Sequence, residues 1–388
     1  MKFILFIVVV VLALLSGCYQ HSVDQLQAEI DIISKHWVPD KRVGICNLRL
    51  VKSAGGEMTL KGESLFPGAK AEALKLLSSK GISVIDSAIL LPDTINVKKS
   101  WGLINISVAN LRGKSAHASE LVSQAIMGTP VRILKEDNGW VLVQTPENYI
   151  AWTNESSVQK MSFTEMIKWR NSDRMIYTES FGKVYKDPKL IEVISDLVAG
   201  AIVAKLSESQ DFSSILLPDG RAGYVANINW FSFNQWKDTV SVINDQLIKS
   251  GRQFLGFPYL WGGTSSKAMD CSGFVKTVFF LNGIILERDA SQQVKHGAEV
   301  DVTSGWNNLQ KGDLLFFGSR DPYRVTHVAI YIGNSELIHS SGSVRINSLD
   351  NKKDNYSNIL GATLLAARRV IGLPPENGYL PVRLNNWY

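Results

Sequence analysis

The chain has 388 residues, 45% hydrophobic and 20% charged, with a formal net charge of +5. This composition excludes a disordered or collagen-like chain, and the length allows about two to four domains. Lys and Arg are scattered with no run resembling a nucleic-acid arm, so no nucleic-acid partner is expected; the mild basicity suits an anionic polymer such as cell wall.

At the N-terminus, Lys2 precedes thirteen apolar residues, Phe3 to Leu15, followed by Ser16, Gly17 and Cys18. A basic start, an apolar run of this length and small residues before a cleavage point mark a secretory signal peptide, and the run is too short to span a bilayer comfortably. "LSGC" at 15–18 resembles a bacterial lipobox. The resemblance implies a signal peptide over 1–17 and lipidation of Cys18, hence a lipid-anchored lipoprotein of the cell envelope facing the periplasm. An ordinary signal peptide with a chance cysteine is the alternative. With Cys18 lipidated, Cys46 and Cys271 remain of the three cysteines, and an oxidising compartment favours pairing them.

Residues 18–100 read as an α/β region. "VDQLQAEIDIISKHW" has helical spacing, "RVGICNLRLV" reads as a strand, "PGAKAEALKLLSSKG" reads as a helix ending at Gly81, and "LLPDT" reads as a linker. His36 and Cys46 read as packing residues. Two copies of one small β-barrel follow, over 101–160 and 161–235. "ELVSQAIMGTPVRIL" from Glu120 aligns without a gap on "EVISDLVAGAIVAKL" from Glu192, at an offset of 72 that carries on from Pro146 to Pro218. Short strands broken by Gly, Pro and Asn/Asp turns fit a barrel in each copy. A helix over "FNQWKDTVSVINDQLIKSGRQFLG" opens the last domain, 236–372, where helices precede antiparallel strands, an α+β order. The Pro- and Asn-rich tail, 373–388, is expected to wrap the surface.

The chemistry gathers around "WGGTSSKAMDCSGFVKTVFFL". Cys271 stands where a glycine-rich loop becomes a helix. Unpaired N–H groups and the helix dipole there favour an anion, which predicts a lowered thiol pKa and a nucleophilic thiolate. Its own backbone N–H would face an oxyanion formed by its attack. His327 and His339 are equidistant from Gly333. A "GNS" hairpin turn predicts pairing of 327 with 339, 329 with 337 and 331 with 335, with the two imidazoles on one face, Cβ atoms roughly 5 Å apart. One histidine would act as base and the other would fix its tautomer. Two other readings stay open here: a Cys46–Cys271 disulfide, and a Cys–His–His zinc site.

"YLWGGTSSKAMDCSGFV", "RDASQQ", "KGDLLFFG", "THVAIYIG" and "LIHSSG" resemble the NlpC-type cysteine peptidases, papain-like enzymes of bacterial cell-wall turnover. The resemblance covers about residues 240–370. "SVANLRGKSAHASELVSQAIMGTPVRIL" resembles a bacterial SH3 domain. Together they resemble the γ-D-glutamyl-L-diamino-acid endopeptidases, or dipeptidyl-peptidase VI, and the region before them looks like the extra domain of related Bacteroidetes lipoproteins. The fold implied is multidomain: an α+β papain-like peptidase domain preceded by two SH3-like β-barrels and an α/β N-terminal region.

The resemblance implies Cys271 as nucleophile, His327 as base, His339 as orienting residue and Tyr259, twelve residues before the nucleophile, as an aid to the oxyanion. It places Asp270, Ser272 and Ser291 in the substrate pocket, with an N-cap role as the alternative for Asp270, and makes Trp261 an apolar wall or a packing residue. Glu120 and Tyr149 match the positions that bind a free N-terminal amine and close the pocket. The second copy keeps a carboxylate, Glu192, but has Arg221 in place of Tyr149, so only the first copy is expected to shape the site. Asn148 and Ala151 stand where the family has glycines. The implied reaction is cleavage of γ-D-Glu–L-diamino acid bonds (L-Lys or meso-diaminopimelate) in murein stem peptides with free L-Ala. It would be carried out by a monomer without metal or organic cofactor. Cleavage of intact peptidoglycan and non-catalytic cell-wall binding are the rival readings.

Overall fold

The computed structural model describes residues 22–388 except 241, 242, 304 and 377. Cys18 and the signal-peptide pattern lie outside the described residues. Among the described residues no helix is long and apolar enough to cross a membrane. The chain forms two compact units, divided between Leu91 and Pro92.

In the first unit a helix, Val23–Trp37, starts at a capping box: Gln25 N–H donates to Ser22 Oγ at 3.1 Å, and Ser22 N–H donates to Gln25 Oε1 at 3.2 Å. Leu26, Ile30 and Ile33 line its buried face and pack on Leu48, Leu50 and Leu60 of the antiparallel pair Cys46–Lys52 and Met58–Ser64. A second helix, Pro67–Ser79, has Pro at its first turn and stops before Gly81, whose φ of 70° ends the helical path. His36 is exposed rather than packed, whereas Cys46 is buried with Sγ 3.5 Å from Ser34 Oγ.

The second unit begins before residue 100. Asp93 N–H donates to Leu134 O at 3.0 Å and Val97 is buried in the core of the first barrel, so residues 92–100 belong with the barrel. Two seven-stranded sheets follow. The first runs Val158–Met161, Trp101–Ile104, Pro130–Asp137, Trp140–Gln144, Ile150–Asn154, Val108–Arg112, Leu121–Ile126 in space. The second has the equivalent order, from Trp230–Ser232 through Arg174–Tyr177, Ile202–Glu208, Phe212–Leu216, Ala222–Ala226 and Phe181–Tyr185 to Val193–Val198. Leu121 plus 72 is Val193, Trp140 plus 72 is Phe212, and Ile150 plus 72 is Ala222, so the sequence repeat is a repeat of strand starts. At the equivalent turns Gly128 and Gly200 have φ of 79° and 89°; a Cβ on Gly128 would lie 2.0 Å from Ile202 O, so glycine lets the barrels touch.

The last domain holds a six-stranded antiparallel sheet in the order Ala298–Val300, Leu364–Arg369, Leu314–Arg320, Tyr323–Gly333, Glu336–Ser341, Ser343–Ser348. The helix Cys271–Leu281 packs on it through Phe274, Val275 and Val278, which are fully buried with Phe316, Val328 and Ile338. Trimming a buried Phe of this kind to Ala costs about 3–5 kcal/mol. The single helix expected to open this domain is two, Phe233–Thr239 and Asn244–Arg252. Val240 is extended at the break, inside a β-branched stretch (Thr239, Val240, Val242, Ile243) that disfavours helix. The tail also departs from expectation. Tyr379–Pro381 pairs antiparallel with Ile284–Leu286, and Val382 and Tyr388 are buried among Trp169, Ile176, Phe233 and Trp236. Its apolar side chains outweigh its Pro and Asn content.

Candidate active site

Asp270 caps the helix Cys271–Leu281: its Oδ1 accepts Gly273 N–H at 2.7 Å, and its Oδ2 accepts Gly262 N–H at 3.0 Å. The start of the helix and the glycine loop touch closely. A Cβ on Gly273 would lie 2.0 Å from Gly263 O, and one on Gly262, at φ 80°, would lie 2.3 Å from Leu121 O of the first barrel. Cys271 is therefore fixed by a loop that itself rests on the barrel. Across from it, Ser340 donates to Met269 O at 2.7 Å, tying the strand of His339 to the residue before the cap.

The histidine strands pair in a register two residues from the expected one: Ile330 with Ile338 and Tyr331 with Leu337. The turn is the two-residue pair Asn334–Ser335, both with positive φ (53° and 59°), rather than the three residues "GNS". A two-residue shift keeps side chains on the same face, so the histidines meet diagonally. His327 Nε2 lies 2.7 Å from His339 Nδ1. His339 Nε2 lies 2.9 Å from Asn347 Oδ1, and Asn347 Nδ2 donates to Asn355 O at 3.0 Å.

That chain of contacts fixes the protons. Because the Asn347 amide donates to a carbonyl, its oxygen faces His339 and accepts Nε2–H. Neutral His339 then offers the Nδ1 lone pair to His327 Nε2–H, which leaves Nδ1 of His327 as the free base nitrogen. Asn347 was absent from the sequence reading.

Burial dominates the electrostatics. It pushes the Cys271 thiol up to about 11, with the Asp270 charge adding to it and the Val328 and Ser272 backbone opposing. Burial, reinforced by the second imidazole and by Arg345, brings His327 down to about 3. Burial brings His339 down to about 4, against the hydrogen bond it donates to Asn347. The resting pair is a neutral thiol with a neutral imidazole, so the lowered thiol pKa expected from the helix start is overridden by desolvation. Tyr259 is half-buried, and burial with the nearby Cys271 and Asp270 raises its phenol to about 12, so it stays protonated and able to donate. Cys46 and Cys271 are both free thiols, which removes the disulfide reading.

Arg288 of "RDASQQ" is a second residue the sequence reading missed. It is 1% exposed. It donates to Asp270 Oδ1 and Oδ2 at 3.2 and 2.5 Å, to Ser272 Oγ at 2.9 Å and to Ser123 Oγ of the first barrel at 3.1 Å. Burial alone would lower its pKa; the Asp270 charge outweighs that and holds it above the ordinary value. Asp270 and Ser272 are thus both buried against Arg288. Ser291 is half-buried in the short helix Ala290–Gln293.

The first barrel reaches the site at its rim. Trp261 is 63% exposed and its indole N–H donates to Glu120 Oε1 at 2.8 Å. Its ring therefore positions a carboxylate instead of packing under the loop. Tyr149 is buried in the core of the first barrel. Asn148 has φ of 67°, the left-handed conformation that glycine favours and Asn tolerates, while Ala151 is buried in the barrel core. Gln124 accepts Thr264 N–H and the Ser265 hydroxyl, both at 3.0 Å. In the second barrel Glu192 pairs with Lys186 at 2.9 Å and Arg221 with Asp219 at 2.7 Å, both close to the surface.

Comparison with known proteins fits this geometry. Residues 256–360 match the model of the NlpC/P60 family, and residues 111–158 match that of the bacterial dipeptidyl-peptidase SH3 domain. A γ-D-glutamyl-L-lysine dipeptidyl-peptidase of Bacillus cereus is 31% identical over 302 residues, covering 73% of this chain and 88% of the relative. The chain belongs to the NlpC/P60 family. Dipeptidyl-peptidase 6 of Lysinibacillus sphaericus is 29% identical over 67% of this chain and 95% of the relative. The crystal structure of a B. cereus NlpC/P60 family protein superposes with a TM-score of 0.59 at 25% identity, covering 70% of this chain and 99% of that one. This NlpC/P60 chain is therefore a multidomain cysteine peptidase: its C-terminal domain has the papain-like fold and SH3-like barrels precede it.

Proposed function

We propose that this NlpC/P60 peptidase hydrolyses the bond between γ-D-Glu and the following diamino acid, L-Lys or meso-diaminopimelate, in murein peptides with a free N-terminal L-Ala, releasing L-Ala-D-Glu. The observation that carries the reading is the Trp261–Glu120 hydrogen bond, which holds an exposed carboxylate of the first barrel beside the loop leading to Cys271. An ammonium leaving water needs an anionic partner, and an acylated N-terminus has no charge to offer. The B. cereus relative, aligned across barrel and peptidase alike, is named for the γ-D-glutamyl-L-lysine bond.

In this reading Cys271 Sγ attacks the γ-carbonyl as its proton passes to Nδ1 of His327. The carbonyl π pair moves onto oxygen, which the Cys271 N–H and the Tyr259 hydroxyl stabilise. When the C–N bond breaks, the His327 imidazolium protonates the leaving amine, and L-Ala-D-Glu remains as the γ-thioester. Water, giving its proton to His327, then adds to the thioester and the thiol departs. His339 holds the tautomer of His327 throughout. The neutral resting pair fits general-base attack, in which charge develops only as the thiol meets the carbonyl. The N-terminal pattern ending in Cys18 supports a lipoprotein anchored in the cell envelope and facing the periplasm; palmitate labelling lost in Cys18→Ala tests it.

The activity is tested by mass spectrometry of products from L-Ala-γ-D-Glu-L-Lys and its N-acetylated form, using wild type and Cys271→Ala. Release of L-Ala-D-Glu from the free-amine peptide alone, abolished in the variant, is expected. Equal cleavage of both peptides would remove the amine selectivity, and cleavage of neither by folded protein would remove the peptidase reading of the substrate.

A further inference from the structure

Arg345 lies directly opposite His339 in the ladder between Glu336–Ser341 and Ser343–Ser348, so both side chains share one face of the sheet. Its guanidinium turns toward the Ser341–Gly342 turn: Nη2 donates to Ser341 Oγ at 3.3 Å and lies 3.9 Å from where a Cβ on Gly342 would stand. Gly342 O accepts the N–H of Tyr259 at 3.0 Å. The guanidinium is thus flanked by the strand of His339 and the turn that holds the Tyr259 segment. The lowering of both imidazoles by Arg345 agrees with this placement.

Charge neutralisation separates Arg345 from the other cation of the site. Arg288 is buried and answered by Asp270. Arg345 is exposed and has no ion-pair partner among the described residues. Among the described residues, Glu120 is thus an exposed carboxylate beside the loop before Cys271, and Arg345 an exposed guanidinium without an ion-pair partner. A peptide with an ammonium at one end and carboxylates further along is complementary to that pair.

We propose that Arg345 binds a carboxylate of the peptide substrate and so determines specificity, as the cationic counterpart of Glu120. The inference rests on the substrate reading above. Two carboxylates have the required chemistry: the α-carboxylate of D-Glu and the terminal carboxylate of the diamino acid. Guanidinium–carboxylate pairing is present in ground state and transition state alike, so its loss raises KM more than it lowers kcat.

The test compares wild type, Arg345→Gln and Arg345→Lys on three peptides: L-Ala-γ-D-Glu-L-Lys, its analogue with the D-Glu α-carboxyl amidated, and its C-terminal lysinamide. Arg345→Gln is expected to raise KM for the parent peptide about tenfold to a hundredfold, with Arg345→Lys in between. One amidated peptide should suffer the same loss with wild type and no further loss with Arg345→Gln, and which one it is identifies the carboxylate. A wild-type KM in Arg345→Gln, or losses that multiply for both amides, overturns the proposal while leaving the activity standing. Failure of wild type to cleave any of the three overturns the substrate reading and this inference with it.

Discussion

The indole N–H of Trp261 and the carboxylate of Glu120 meet at 2.8 Å across 141 positions of sequence, joining the loop before the nucleophile to the first barrel. The contact makes the barrel part of the site instead of a separate anchor. Glu120→Gln keeps the shape and removes the charge. It is expected to raise KM for the free-amine tripeptide about tenfold or more while leaving kcat close to wild type, read from steady-state kinetics. An unchanged KM would mean that the carboxylate does not face the amine.

Asn347 anchors the proton chain from Asn355 O to Nδ1 of His327. Asn347→Ala is expected to reduce kcat about ten- to a hundredfold with little change in KM, the loss typical when an imidazole's orienting partner is removed. Asn347→Asp should act differently. A carboxylate beside His339 favours its charged form, in which Nδ1 carries a proton and no longer accepts from His327, so the acid limb of the kcat profile should move to higher pH. An unshifted limb in Asn347→Asp would show that His339 does not set the tautomer.

Arg288 and Asp270 form a buried ion pair in which each charge depends on the other. Arg288→Leu leaves Asp270 unpaired and is expected to cost about 3–5 kcal/mol, measured by urea unfolding. Arg288→Leu combined with Asp270→Asn should recover much of that loss. A double variant as unstable as the single one would show that the contact to Ser123, not charge neutralisation, is the main contribution.

The site also sets a pH window for stability. The folded His327 and His339 values, about 3 and 4, lie below the ordinary 6.5, so on acidification the unfolded chain takes up protons that the native chain does not. Their contribution is intact above 6.5 and is lost as pH falls toward 3. The Cys271 value, about 11, lies above the ordinary 9.0, so its contribution is intact below 9.0 and is lost as pH rises through 11. Urea midpoints should therefore plateau between these limits, and His327→Gln should flatten the acid limb. Iodoacetamide labelling of Cys271 should climb steadily from pH 7 to 9, and a plateau already reached at pH 7 would reveal a preformed thiolate.

The nucleophile, both histidines and the barrels were legible because their signals are local. A glycine loop before an apolar helical run, two alternating strands and a gapless repeat each need only a few dozen residues. Arg288 and Asn347 were not legible in this way. Arg288 gains its role only when the fold brings Asp270 and Ser123 of the first barrel to it, and Asn347 reaches His339 only through the register set at Gly342. The hairpin register differs from expectation by two residues because the turn takes only Asn334 and Ser335, which pairs Gly333 with Glu336 and Tyr331 with Leu337. The thiol pKa was misjudged because the helix start is a local feature, whereas the burial opposing it comes from packing against distant strands. The tail was read by composition, although Val382 and Tyr388 decide its placement.

The strand starts shared by the two barrels have a consequence for how this architecture could diversify. Leu121 and Val193, Trp140 and Phe212, and Ile150 and Ala222 keep the same spacing without insertion or deletion, while Tyr149 and Arg221 at one equivalent turn differ. The repeat thus presents one frame twice, with an interior constrained by folding and turns that differ between the copies. New substrate preferences can then arise by single replacements on a rigid rim, with no loop to lengthen and no core to rebuild.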